Sequence, residues 1–110
     1  MKSIQIEKFG GPEVLVIRDM DIGKPGPKEV LIKNKSIGLN FIDVYHRTGL
    51  YPIPLPSGIG LEASGVIEEI GSDVKLFKVG DRVTHASMPI GAYSEKQITV
   101  SYTHLTLPTT

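Results

Sequence analysis

The chain has 110 residues, 40% of them hydrophobic, with 12 basic and 12 acidic side chains and no formal net charge. That length holds one modest domain with a packed core, and the charge balance argues against a nucleic-acid binder and a polybasic membrane-surface protein. Cysteine is absent, which excludes disulfides and thiolate metal sites and fits a reducing cytoplasm.

Ile4 and Ile6 alternate with Ser3, Gln5 and Glu7, and this period of two predicts a half-buried strand over 2–9. The same alternation is not the apolar core of a signal peptide, and no later stretch is long enough to span a bilayer. Gly10-Gly11-Pro12 predicts a turn. The run Val14-Leu15-Val16-Ile17 predicts a strand covered on both faces. Gly23 to Pro27 predicts a stiff turn, followed by an alternating strand over Glu29 to Ser36.

Residues 40–48 break the β pattern. Asn40 suits a helix N-cap, Asp43 stands three residues on at the capping-box position, and Gly49 suits the C-terminal cap. Asp43 and Arg47 are spaced to pair across one turn. In Tyr51 to Gly58, prolines at 52, 54 and 56 predict a stiff extended loop outside the sheet. Ala63 to Ile70 predicts a strand, turned by Gly71-Ser72-Asp73. Val79 to Val83 predicts a turn entering a strand, and Gly91 to Val100 a last strand. The sum is a mainly β domain, a small barrel with one short helix and irregular loops.

Residues 101–110 differ: no charged side chain follows Lys96, and threonine, leucine and proline dominate. The string SYTHLTLPTT resembles translated sequencing-adapter read-through. The expectation is a domain over 1–100 and a non-native tail over 101–110.

Five segments in register resemble the zeta-crystallin-type quinone oxidoreductases of the medium-chain dehydrogenase/reductase superfamily. They are Gly10 to Leu15, Gly38 to Tyr45, Gly49 to Pro52, Gly60 to Val66 and Val79 to Val83, spread over about the first hundred residues. The resemblance implies a GroES-like β domain that precedes a Rossmann domain, with NADPH held mainly by that second domain. No G-x-G-x-x-G turn occurs in this chain, and a β pattern follows Gly58-Ile59-Gly60. The chain is therefore expected to be an amino-terminal part that by itself neither oxidises nor tightly binds NADPH. The resemblance further implies a cytoplasmic, homo-oligomeric parent acting on a small-molecule quinone.

Zinc-dependent relatives carry a cysteine where Asn40 stands and a histidine where Leu61 stands. The remaining histidines are His46, His85 and His104, and none is placed with a second likely zinc ligand at a helical spacing that would suggest a site. The expectation is a reaction without zinc, and no metal ligands are assigned.

The resemblance places Asn40, Asp43 and Tyr45 against the nicotinamide. Tyr51 starts the proline-stiffened loop, which can hold its ring over a flat substrate at low entropic cost, and the Tyr45 and Tyr51 hydroxyls are the catalytic candidates as donors to the charge that develops on a quinone oxygen. Each has a plainer use. Asn40 serves equally well as a helix cap, and for Asp43 the first-turn acid is the favoured use. Tyr45 could be a core aromatic and Tyr51 a packing residue. Phe41 is expected in the core. Glu62 is expected to pair with a base outside this chain, and Arg82 to support a turn or a surface pair. Two other functions stay open: a related zinc-free reductase of activated double bonds, and a non-enzymatic GroES-like binding domain.

Overall fold

A computed structural model describes residues 1–86 and 90–101. The elements, in chain order, are β1 (Lys2–Ile6), a 3-10 turn (Pro12–Val14), β2 (Val16–Asp19), β3 (Glu29–Gly38), α1 (Phe41–Thr48), β4 (Ser57–Gly58), β5 (Glu62–Ile70), β6 (Arg82–Ala86) and β7 (Lys96–Val100). They form two antiparallel sheets, ordered β2-β1-β4 and β6-β5-β3-β7.

The alternation of β5 is that of a strand with one buried face: Ala63, Gly65 and Ile67 point inward. Val83 and His85 do the same on β6, and Gln97 and Thr99 on β7. One core cluster joins Val30, Ile32, Ile67, Val74 and Val83, with Ile70 and Phe77 packed against it. A second joins Ile6, Val14 and Ile59, flanked by Ile4, Leu15, Ile53, Leu55 and Tyr93. This second cluster lies under the candidate site.

The segment before β7 links the two sheets. Ile4 donates its amide to Tyr93 (2.8 Å), Glu95 donates to Lys2 (2.9 Å), and Asn34 donates to Glu95 (2.9 Å). The expected strand over 91–100 is therefore divided. Residues 93–95 bond to β1, and only Lys96–Val100 pairs with β3.

Three expectations need correction. The run 14–17 is not a strand covered on both faces. Val14 is buried in a 3-10 turn, and Ile17 is 68% exposed on β2, which among the described residues pairs only with β1. The proline loop does enter a sheet at its end. Ser57 and Gly58 follow the last proline, so both keep their amide hydrogens and pair with Ile6 and Gln5. On β3, Val30, Leu31 and Ile32 are buried in succession rather than alternately, beside a register shift between Leu31 and Ile32 that locally re-aims the side chains.

Ser101 donates both its amide and its hydroxyl to the Lys28 carbonyl (3.0 and 2.8 Å). The rest of the expected tail, including His104, lies outside the described residues.

Candidate functional site

Helix α1 forms where the sequence places it. Asn40 precedes it in extended backbone (φ −131°, ψ 153°). Its amide donates to Asp43 Oδ2 at 3.1 Å, and its carbonyl accepts from the Asp43 amide at 3.0 Å. Gly49 ends the helix in the left-handed region (φ 87°). Asp43 and the helix dipole favour each other at the first turn, as His46 and Arg47 suit the last. The expected Asp43–Arg47 ion pair does not form. Arg47 Nε donates to the Gly10 carbonyl at 3.2 Å, while Asp43 turns inward to Tyr93.

Asp43 is 4% exposed. Its Oδ2 accepts a 2.6 Å hydrogen bond from the Tyr93 hydroxyl, and its Oδ1 has no partner among the described residues. Burial and the neighbouring carboxylate both push the Tyr93 phenol above its usual range, burial most strongly. Tyr93 therefore stays protonated and donates. The side-chain amide of Asn40 reaches Glu62 Oε2 at 3.4 Å, so Glu62, at the start of β5, has a partner within this chain.

Tyr45 and Tyr51 come together through the end of the helix. The Tyr45 carbonyl accepts from the Gly49 amide (3.1 Å) and from the Tyr51 amide (3.3 Å). That second bond folds the chain back and sets the two rings edge to face, with centroids 5.3 Å apart and planes at 79°. Both rings are exposed. The expectation of Phe41 in the core is overturned: it is 82% exposed. At the first helical position it points away from the face that buries Asp43 and His46. Phe41 lines one surface with Leu39, Asn40 and Val44, and Leu50 and the two tyrosines are exposed as well.

A cleft of about 240 Å³ opens beside the helix, lined by Leu15, Leu39, Asn40, Asp43, Val44, Arg47, Ile59 and Tyr93. An apolar groove of about 540 Å³ adjoins it and shares Leu39 and Tyr93. A pocket at Lys28, Asp73, Lys75, Leu76 and Ser101 shares no lining residue with either. Of the expected site residues, the structure brings Asn40 to Asp43, and Tyr45 to Tyr51. Tyr93 was not singled out from the sequence. It stands 50 residues from Asp43, in no periodic pattern.

Among the described residues, no group of three or more histidine, aspartate or glutamate side chains could hold a metal ion. Nor is any helix among them long and apolar enough to cross a membrane.

His85 is buried on β6, and neither ring nitrogen has a hydrogen-bond partner among the described residues. Burial lowers its pKa below the usual 6.5. The folded protein then binds this proton less readily than the unfolded chain. His85 therefore takes nothing from stability above about pH 6.5 and costs up to about 1.4 kcal/mol per pH unit as pH falls from there toward the folded-state pKa. His85→Leu is expected to narrow the gap between thermal midpoints at pH 7.5 and pH 5. An unchanged gap would show that His85 is not responsible for the acid-side loss.

Two sheets bridged by one strand segment, with a single helix at the rim of an open cleft, define a GroES-like β domain. The chain belongs to the alcohol dehydrogenase GroES-like domain family, whose model matches residues 26–106. It is similar to the quinone oxidoreductase of Pseudomonas aeruginosa, with 57% identity over 98 residues, 88% of this chain and 30% of that protein. Quinone oxidoreductase 1 of Escherichia coli is 51% identical over 92 residues, 83% of this chain and 28% of that protein. The crystal structure of an Escherichia coli quinone oxidoreductase complexed with NADPH superimposes with a TM-score of 0.93. Its identity is 44%, and the match covers 97% of this chain and 33% of that one. The chain thus spans about a third of the length of these relatives.

Proposed function

We propose that this chain is the amino-terminal, substrate-side domain of a zinc-independent, NADPH-dependent quinone oxidoreductase. In this reading the parent protein is a cytoplasmic homo-oligomer, the domain spans residues 1–100, and residues 101–110 lie outside it. The observation that carries the reading is the cleft lined by Leu15, Leu39, Asn40, Val44 and Ile59, with the exposed Tyr45–Tyr51 pair at the other end of α1. A flat, apolar acceptor with polar oxygens needs an apolar platform and a few well-placed donors. The similarity to quinone oxidoreductases supplies the same direction independently.

NADPH, when bound, supplies the reducing equivalents, and a second domain holds its phosphates. Within this chain the side chains of Asn40 and Tyr45 remain available to the nicotinamide end. Asp43 is committed to Tyr93 and to the Asn40 backbone amide, so its part is to hold Asn40 and leave that residue's side-chain amide to the site. Negative charge grows on the acceptor oxygen during reduction. The Tyr45 or Tyr51 hydroxyl, or the Asn40 amide, donates a hydrogen bond there and lowers the barrier.

In the intact oxidoreductase, Tyr45→Phe and Tyr51→Phe are each expected to lower kcat for NADPH oxidation with a quinone, by about tenfold to a hundredfold. Unchanged kinetics in both would remove the tyrosines from the mechanism. Activity confined to activated carbon–carbon double bonds in a substrate panel would replace the quinone reading altogether.

A further inference from the structure

Two donors converge on one oxygen beneath the cleft. Asp43 Oδ2 accepts from the Tyr93 hydroxyl at 2.6 Å and from the Asn40 amide at 3.1 Å. The first of these comes from a side chain whose own backbone is firmly tied. The Tyr93 amide donates to Ile59 (3.0 Å), and its carbonyl accepts from Ile4 (2.8 Å). The two residues before it, Gly91 and Ala92, both donate to the Gly60 carbonyl (2.9 and 3.2 Å).

The ring itself needs Gly60. That residue sits at φ +99°, and a Cβ there would stand 2.4 Å from Tyr93 Cδ1. Only glycine meets both demands, the backbone conformation and the space. Tyr93 thus reaches from the second core cluster, past Gly60, to the first turn of α1.

Removing the hydroxyl would leave the ring packed but strip the buried carboxylate of its shortest bond. Asp43 Oδ1 already has no partner among the described residues, so the single Asn40 backbone amide would remain to hold the carboxylate. A buried carboxylate so poorly satisfied moves toward water. The start of the helix moves with it, and so does the Asn40 side chain.

We propose that Tyr93 is a positioning residue: acting through Asp43, it fixes the start of α1 and thereby the place of Asn40 in the cleft. The catalytic consequence rests on the function proposed above, whereas the mechanical one does not.

Two measurements test the proposal. The first uses this chain. In Tyr93→Phe, amide hydrogen exchange at Asn40 and Asp43 is expected to quicken at least tenfold, the effect of losing a hydrogen bond to a charged group. Exchange at Ile32 and Ile67, in the other core cluster, should stay as it is. Asp43→Asn, which keeps the side-chain shape and weakens the acceptor, should show the same local pattern. Unchanged protection at Asn40, or equal acceleration at all four sites, would overturn the proposal.

The second measurement uses the intact oxidoreductase. Tyr93→Phe should lower kcat/KM for the quinone about tenfold, and should cost nothing further once Asn40→Ala is present. The same loss in both backgrounds, or no loss in either, would overturn a route through Asn40. A wild-type protein that does not reduce quinones with NADPH would instead sink the proposed function, and the exchange measurement would still decide the role of Tyr93.

Discussion

Gly65→Ala is expected to unfold the domain. Gly65 lies on the inward face of β5, opposite Asn34, where β3 shifts register between Asn34 and Ser36. A Cβ at this position would stand 2.1 Å from the Lys33 carbonyl oxygen and 2.9 Å from Asn34 Cα. Both are backbone atoms of the paired strand. No side-chain rotation relieves the contact, so β3 and β5 would have to part. They form the centre of the four-stranded sheet. A forced separation there costs on the order of 3–5 kcal/mol, enough to use up the stability of a small domain at the low end of the usual range. Circular dichroism of the variant should show most of the β signal lost at 25 °C. A variant that melts within a few degrees of the wild type would mean that β3 and β5 can separate locally at little cost.

Ile32→Ala should come next in effect. Ile32 is fully buried on β3, between β5 and β7, and belongs to the larger core cluster with Val30, Ile67 and Val83. Removing three carbons there loses their transfer energy and leaves a cavity that a sheet paired on both sides closes poorly. The expected cost is about 3–4 kcal/mol. Chemical denaturation should show a lower midpoint with an unchanged m-value. Ile17→Ala is the internal control, because Ile17 is 68% exposed and the same chemical change there should move the midpoint little. Equal losses at the two positions would mean that the edge strand is covered in solution.

The fold was legible where one physical signal acted alone. The alternation from Ala63 to Ile70 needed only a buried face, and β5 has one. Asn40, Asp43 and Gly49 marked the helix because cap chemistry is local. The reading failed where a distant partner decided the outcome. Val14 to Ile17 is apolar throughout, yet Val14 is buried in a 3-10 turn and Ile17 is left exposed on a strand that, among the described residues, pairs only with β1. Ser57 and Gly58 look like the end of a proline loop, and only β1 turns them into strand. Phe41 looks like core, and it is exposed on the far face of a helix that buries Asp43 instead.

The same division holds for the candidate site. Asn40, Asp43, Tyr45 and Tyr51 are close in sequence, and the capping pattern and the resemblance both marked that segment. Tyr93 was missed because nothing near it announces a hydrogen bond to a residue 50 positions earlier. The available hint was steric: glycines at 58, 60 and 91 suggest two backbones in close approach. Gly58 meets Gly91, with a Cβ on the former only 3.0 Å from the latter's Cα, and Gly60 meets the Tyr93 ring.

The place of β7 in the sheet has a consequence for synthesis. Strand β3, complete at residue 38, has β5 on one edge and β7 on the other, with Glu29 paired to Val100. As the chain leaves the ribosome, that second edge stays open until residues 96–100 emerge. Tyr93 likewise reaches Asp43 only near the end of this span. The nascent chain therefore waits, with an unpaired strand edge exposed, until residues 96–100 have been made. Closure over such separations is slow, on the millisecond-to-second scale of β topologies rich in non-local pairs. This interval is when the chain most needs protection from pairing with other chains.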